Sequence, residues 1–161
     1  SAETLIYACL PPSNFSAPTY VSSTETSLKI SWRAPSSQNG CPVSSYSILR
    51  DTGSDDDISF VEATGLLPQT TEHEITLTGS DTGNTFRVKI VAANEAGAVD
   101  SGIAEFVLAS TPEAPDPPTN DAGVTNEHEI KVDFITTLPN DRGSEIIGVQ
   151  LAMDDGRGGD F

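Results

Sequence analysis

An acidic turn is the segment whose residue types and spacing most directly suggest chemistry. Four aspartates, Asp51, Asp55, Asp56 and Asp57, follow one another closely. Clustered carboxylate oxygens are the ligands that Ca²⁺ prefers, so these side chains are a candidate calcium site. Their spacing differs from that of an EF-hand loop, and a run of like charges is typical of a solvated surface. We interpret the turn first as a solvated acidic loop, with calcium as the alternative; no other cofactor is indicated.

Two Asp-Thr-Gly triplets, Asp51–Gly53 and Asp81–Gly83, match the sequence around the catalytic aspartate of aspartic proteases. Together with Ile146-Ile147-Gly148, the first triplet resembles the retroviral type. Such an enzyme needs two aspartates that face each other and share a proton. Asp-Thr-Gly is also ordinary turn sequence, and the first triplet is repeated at Asp154–Gly156. An aspartic protease is therefore a remote alternative, and a protein that is not an enzyme is favoured.

The charge of the chain excludes two classes of partner. There are 24 Asp and Glu residues against 8 Lys and Arg, which gives a formal net charge of -16, and the lysines have no basic neighbours. Nucleic acids and anionic membranes bind clustered basic side chains, so neither is expected as a partner. No stretch approaches the ~20 apolar residues of a membrane span, so direct membrane insertion of this segment is not expected. The first residues lack the basic flank of a signal peptide and are interpreted as a cut end.

Short segments in which apolar and polar residues alternate predict an all-β fold. In the clearest of them, Leu28, Ile30 and Trp32 point to one side, as in a strand with one buried face. The predicted strands are 17–21, 28–32, 46–50, 60–61, 75–77, 86–92 and 103–108. Seven short strands separated by turns suit a Greek-key sandwich of two sheets.

Two blocks of residues resemble the fibronectin type III domain, an immunoglobulin-like seven-stranded β-sandwich. They are Pro18, Leu28-x-Ile30-x-Trp32-x-x-Pro35, Gly40 and Tyr46-x-Ile48, followed by Phe86-x-Val88-x-Ile90-x-Ala92-x-Asn94-x-x-Gly97. The resemblance implies a core signature made of Trp32, Tyr46, Leu77, Phe86, Val88 and Ile90. The family usually has Tyr where Phe86 stands. Without that hydroxyl, the usual corner hydrogen bond to the preceding loop is lost, and this loop, 78–84, also looks long.

The sequence contains an internal repeat whose period is about the length of one sandwich domain, which predicts a tandem array. Residues 130–134 repeat residues 28–32, and Val149-x-Leu151 repeats Tyr46-x-Ile48. We therefore predict that residues 1–12 hold the last strand of a preceding domain and a linker, and that 13–110 form a complete domain. Residues 111–161 are predicted to hold a linker and the first three strands of a truncated following domain. Both linkers contain several prolines, which favours semi-rigid spacing between domains.

The two cysteines, Cys9 and Cys41, are expected at the same end of such a sandwich. The register of the repeat puts Ser110 or Thr111 and Ser144 at the corresponding positions, so both cysteines are absent together. Their joint absence suggests a disulfide, and two unrelated thiols are the alternative. A disulfide would imply an oxidising compartment and would fix the angle between consecutive domains. Asn14-Phe15-Ser16 is a glycosylation sequon and agrees with that compartment.

These features predict a structural or adhesive module of a long extracellular or cell-surface glycoprotein, acting as a spacer, stalk or filament element. The expected partners are other domains of the same chain. Further candidate partners are copies of the protein itself and surface proteins. The alternative is an intracellular cytoskeletal or ciliary scaffold of the same fold, with free thiols. Fold resemblance does not name a partner.

Overall fold

The secondary structure of the protein consists mainly of β-strands in which buried and exposed residues alternate, as its sequence pattern predicts. The computed structural model describes residues 8–52, 59–134 and 138–157 and divides into two units, Ser1–Ser110 and Thr111–Phe161. The strands of the first unit are β1 (Thr19–Ser23), β2 (Ser27–Ser31), β3 (Ser45–Arg50), β4 (Val61–Glu62), β5 (Glu72–Thr76), β6 (Thr85–Asn94), β7 (Gly97–Asp100) and β8 (Ala104–Val107). Among the described residues, no helix is long and apolar enough to cross a bilayer.

The first unit is a sandwich of two antiparallel sheets. One sheet has the order β1-β2-β5, and the other has the order β4-β3-β6, with β7 and β8 both paired to the remaining edge of β6. Alternate residues of β2, β3 and β6 point into the space between the sheets, where the six side chains of the core signature are all buried. The fold is therefore the all-β sandwich that the sequence pattern predicts.

The last strand begins earlier than the sequence suggests and is interrupted. Residues 103–108 are predicted as one strand, whereas β7 starts at Gly97 and β8 ends at Val107. Between them, the Ser101 hydroxyl accepts the backbone N–H of Ile90 at 2.9 Å. A side chain thus replaces a backbone acceptor, because the strand bulges there.

The loop before Phe86 is closed by its own hydrogen bonds. Phe86 is fully buried, and residues 79–81 form a 3₁₀ turn inside the long loop. The carboxylate of Asp81 accepts both the backbone N–H (2.9 Å) and the hydroxyl (2.7 Å) of Thr78, and the hydroxyl of Thr82 reaches the carbonyl of Glu25 at 3.2 Å. These contacts close the loop although residue 86 is a phenylalanine and carries no hydroxyl.

Replacing Asp81 by asparagine should remove an acid-sensitive part of this closure. The hydroxyl and N–H of Thr78 lower the pKa of Asp81 below its ordinary value of 3.8. A lowered folded-state pKa stabilises the protein above the ordinary value, and this stabilisation is lost as the pH falls through the folded-state pKa. Because Asp81 is only half-buried, we expect a loss of about 1 kcal/mol or less at neutral pH. Thermal melting from neutral to strongly acid pH should show the two proteins converging in acid; a constant difference would contradict this role.

In the second unit, the described residues form two short strands, β9 (Thr119–Asn120) and β10 (Val132–Asp133), paired antiparallel. The third predicted strand, at Val149 and Leu151, is not formed, and these side chains are 45% and 46% exposed. A strand needs a neighbour for its backbone groups and a second layer for its apolar face, and the described part of this unit provides neither there. That the unit begins a second domain stays a prediction.

Candidate functional site at the linker pole

One end of the sandwich brings together three segments, which we call the linker pole. They are the linker 8–12, the loop 36–44 between β2 and β3, and the turn 94–97 between β6 and β7. The linker is not part of either sheet, yet it is fixed against the other two segments by a covalent bond, by two asparagine side chains and by close packing.

The covalent bond is the disulfide between Cys9 and Cys41, whose Cα atoms are 5.5 Å apart. This separation is the usual one for the crosslink. Cys41 is 2% exposed at the entry to β3, so the bond reaches from the linker into the body of the sandwich. The pairing suggested by the joint absence of the two cysteines from the repeat is present in the structure.

The buried amide of Asn94 connects all three segments. Its Nδ2 donates to the carbonyl of Leu10 at 3.0 Å and lies 3.3 Å from the carbonyl of Cys41. Its Oδ1 accepts the N–H groups of Ala96 (2.9 Å) and Gly97 (3.2 Å) and so closes the turn. A side chain that both donates and accepts is needed here, because carbonyls and N–H groups face it together.

Asn39 holds the linker from the loop side. Its Nδ2 donates to the carbonyl of Pro11 at 2.7 Å, while its own carbonyl accepts the N–H of Leu10 at 3.0 Å. Asn39 has a φ of 49°, a left-handed conformation in which asparagine is enriched. Backbone and side chain of one residue therefore bind successive linker residues.

Two glycines allow the linker to lie this close. A Cβ atom on Gly40 would be 3.0 Å from the carbonyl oxygen of Ala8, and one on Gly97 would be 3.0 Å from Cγ of Pro11. Both glycines also have positive φ, +93° and +149°. Larger residues would therefore strain the backbone and displace the linker.

The sequon lies directly after the linker. Asn14 is exposed, and its carbonyl accepts the N–H of Ser36 at 3.1 Å. Phe15 is buried, with its ring 6.2 Å from that of Tyr46. The exposed side chain is thus held next to the linker by a core residue, and its glycosylation stays a prediction.

The acidic-turn interpretation is wrong for Asp51. This carboxylate is 1% exposed; it accepts the backbone N–H of Arg87 at 3.0 Å and lies 3.3 Å from the Arg87 guanidinium. A carboxylate that is buried and paired in this way is a structural acceptor rather than a solvated calcium ligand. Asp55, Asp56 and Asp57 lie outside the described residues. Within those that are described, no group of three His, Cys, Asp or Glu side chains could hold a metal ion.

Exchanging Asp51 for asparagine should lower the free energy of unfolding by about 1 to 2 kcal/mol, because the amide can still accept an N–H but no longer offsets the Arg87 charge. Glu105→Gln is the matched control, since Glu105 is the second carboxylate on Arg87 (3.4 Å) but is 66% exposed. It should cost less than about 0.5 kcal/mol. Urea unfolding measures the loss of unfolding free energy in both variants. Equal losses would mean that burial of Asp51 has no energetic consequence.

The Asp-Thr-Gly triplets do not form a catalytic pair. Asp51 is bonded to Arg87, and Asp81 is bonded to Thr78. In the copy, the carboxylate of Asp154 accepts the N–H of Gly156 at 3.0 Å, which is an ordinary turn contact. Each carboxylate thus has a separate structural partner instead of sharing a proton with a second aspartate.

Sequence reasoning found the disulfide but missed the two amides that surround it. Asn94 was visible only as one position of the family pattern, without a role. Asn39 stands before Gly40, a turn signal that predicts a left-handed conformation but not the residues it contacts. The arrangement as a whole can bind and orient the backbone of the linker. It has no nucleophile paired with a base among the described residues.

The family model for the fibronectin type III domain matches residues 10–104, which is more than half of the chain. The chain therefore belongs to the fibronectin type III family. Domains of this family are generally noncatalytic modules. The matched range includes β1 to β7 and most of the linker pole, and it begins one residue after Cys9.

Solved structures with a similar fold include domains from titin, with a TM-score of 0.49 at 14% identity over 63% of this chain and 32% of that one. The twitchin kinase region from C. elegans has a TM-score of 0.48 at 20% identity, over 62% of this chain and 16% of that one. A titin module from human cardiac muscle has a TM-score of 0.46 at 17% identity, over 60% of this chain and 86% of that one. The chain thus spans less than a third of the length of the first two. No curated protein matches its sequence.

Proposed function

We propose that this chain is a noncatalytic spacer in a tandem array of fibronectin type III domains, within an extracellular or cell-surface protein. The observation that carries the proposal is the linker pole. There, the segment entering the sandwich is bonded covalently to the loop before β3. A spacer must fix the orientation of neighbouring domains as well as the distance between them. A linker that is attached to its domain can leave that domain in one direction only.

Similar local geometry in the second unit supports a tandem arrangement. Thr119 pairs with Asp133 as Thr19 pairs with Ser31, and in both cases the threonine hydroxyl donates to the partner's carbonyl, at 3.4 Å and 3.2 Å. The left-handed pair Asn39-Gly40 also has a counterpart in Arg142-Gly143, with φ values of 50° and 87°.

The second linker is also attached to its loop, but by a weaker contact. The N–H of Glu113 donates to the carbonyl of Asn140 at 3.0 Å, and the Glu113 carboxylate lies 3.1 Å from the Arg142 guanidinium. These residues neighbour the positions that match Cys9 and Cys41. An exposed ion pair contributes about 1 kcal/mol or less, so this second attachment would be weaker than the covalent one.

The disulfide and the exposed sequon support an extracellular location, because disulfides persist in oxidising compartments. The net charge of -16 would keep copies of the protein apart unless cations screen it. Fibronectin type III domains as a family occur both outside and inside cells. The cytoskeletal or ciliary scaffold is therefore the competing outcome.

Treatment of the natural full-length protein with peptide-N-glycosidase tests the location. Release of a glycan converts Asn14 to aspartate, which mass spectrometry of the peptide detects, and an Asn14→Gln variant is the control. An unmodified Asn14 together with free thiols would favour the intracellular scaffold.

Electron microscopy of the same full-length protein tests the spacer role independently. An array should appear as an extended row of domains with a narrow distribution of angles at the disulfide-linked junction. A single compact particle, or one in which this domain closes a catalytic cleft, would contradict the proposal.

A further inference from the structure

Two routes connect the linker to the rest of the sandwich, and they differ in strength. The first runs along the chain through β1, an edge strand whose side chains are mostly exposed. Its pairing with β2 is interrupted by a register shift between Tyr20 and Ser22. Edge strands with little burial are the elements that open most easily.

The second route is the disulfide, which leads from Cys9 directly to Cys41 at the entry to β3. This strand pairs with β6 without a break from Ser45 to Arg50, and its residues Tyr46 and Ile48 are buried. On its other edge, β6 pairs with β7 and β8. The covalent route therefore reaches the five-stranded sheet without passing through β1 or β2.

The strand directions determine how this sheet would be loaded. Because β3 and β8 are both antiparallel to β6, they run in the same direction. Ser45, at the start of β3, pairs with Ala93, whereas Val107, at the end of β8, pairs with Thr85 at the opposite end of β6. A pull that enters before β3 and leaves after β8 acts along the strands, so that their hydrogen bonds resist it together.

We propose that the Cys9–Cys41 disulfide transfers tension from the linker to the sheet that contains β3, β6 and β8, and that β1 and β2 therefore carry no tension. The bond closes a loop of 32 residues that contains both strands. The inference rests on the proposed function, because a domain is under tension only when both of its ends are attached to other domains.

Single-molecule force spectroscopy on the full chain, with handles at its two ends, tests this inference with and without reductant. The oxidised chain should unfold its first unit in one main step. The reduced chain should first release the linker and β1 in a step at lower force. Its total extension should be greater by about 110 Å, since a residue spans at most about 3.6 Å. The Cys9→Ala/Cys41→Ala variant should behave like the reduced chain.

A Tyr20→Pro variant distinguishes rerouted tension from a simple shortening of the chain. Proline is tolerated in edge strands but weakens their pairing. It should lower the first-step force of the reduced chain more than the unfolding force of the oxidised chain. Equal lowering, or one step at the same force in both redox states, would overturn the proposal. Wild-type protein with and without reductant gives an answer even if the variant fails to fold.

The handles supply the tension in this experiment, so its result does not depend on whether the natural protein is a spacer. A negative result would exclude the transfer of tension through the disulfide without contradicting the tandem array. A compact particle in electron microscopy would contradict the tandem array and would not affect the result of the force measurement.

Discussion

Replacing Trp32 by alanine will lower the free energy of unfolding of the first unit by about 3 to 5 kcal/mol, the range for deletion of a large buried aromatic side chain. Trp32 is 5% exposed, and its ring meets that of Tyr46 edge-on with centroids 5.5 Å apart. A loss of this size is comparable to the whole stability of a small domain. Circular dichroism melting should therefore show no cooperative transition, or one at much lower temperature.

Trp32→Phe is the matched control for this prediction. The indole Nε1 of Trp32 has no hydrogen-bond partner among the described residues, so its removal breaks no such bond. Phenylalanine keeps an aromatic ring against Tyr46, and we expect a loss of about 2 kcal/mol or less. A cooperative melt of wild-type stability in the alanine variant would show that the core is not organised around this side chain.

Removing the disulfide should cost about 3 to 4 kcal/mol, as expected when a closed loop of 32 residues is opened in the unfolded chain. Cys9→Ala/Cys41→Ala is the variant to use, because alanine adds no polar group at the buried Cys41 position. Urea unfolding of this variant should agree with that of reduced wild-type protein.

An Asn94→Ala variant with the disulfide intact separates the crosslink from the hydrogen bonds around it. It should cost about 1 to 3 kcal/mol, because buried carbonyl and N–H groups lose their partner. If removal of the disulfide costs less than about 1 kcal/mol, the linker is held by the amides alone and the covalent attachment is not what fixes it.

The sheet faces could be predicted from the sequence because burial imposes a period of two. Leu28, Ile30 and Trp32 alternate with polar residues, and the structure buries all three. The disulfide could be predicted because the repeat provides an internal comparison. The start of β7 could not, since Gly97–Asp100 has no strong apolar alternation and is defined by its pairing with β6.

Side chains that act through backbone groups could not be predicted. Asp51 looks like a member of an acidic run, and only the fold brings it to the N–H of Arg87, 36 residues away in sequence. The amide of Asn94 contacts Leu10, 84 residues away. Such contacts depend on the path of the main chain, which hydrophobic periodicity does not specify.

Peptide mapping of the natural protein without reductant tests the covalently fixed linker most directly. Thiols should be alkylated at the moment of lysis, so that no bond forms during purification. We expect a crosslinked peptide pair that contains Cys9 and Cys41 and separates on reduction. Recovery of both cysteines as alkylated thiols would contradict it, because the linker would then lack its covalent attachment to the sandwich.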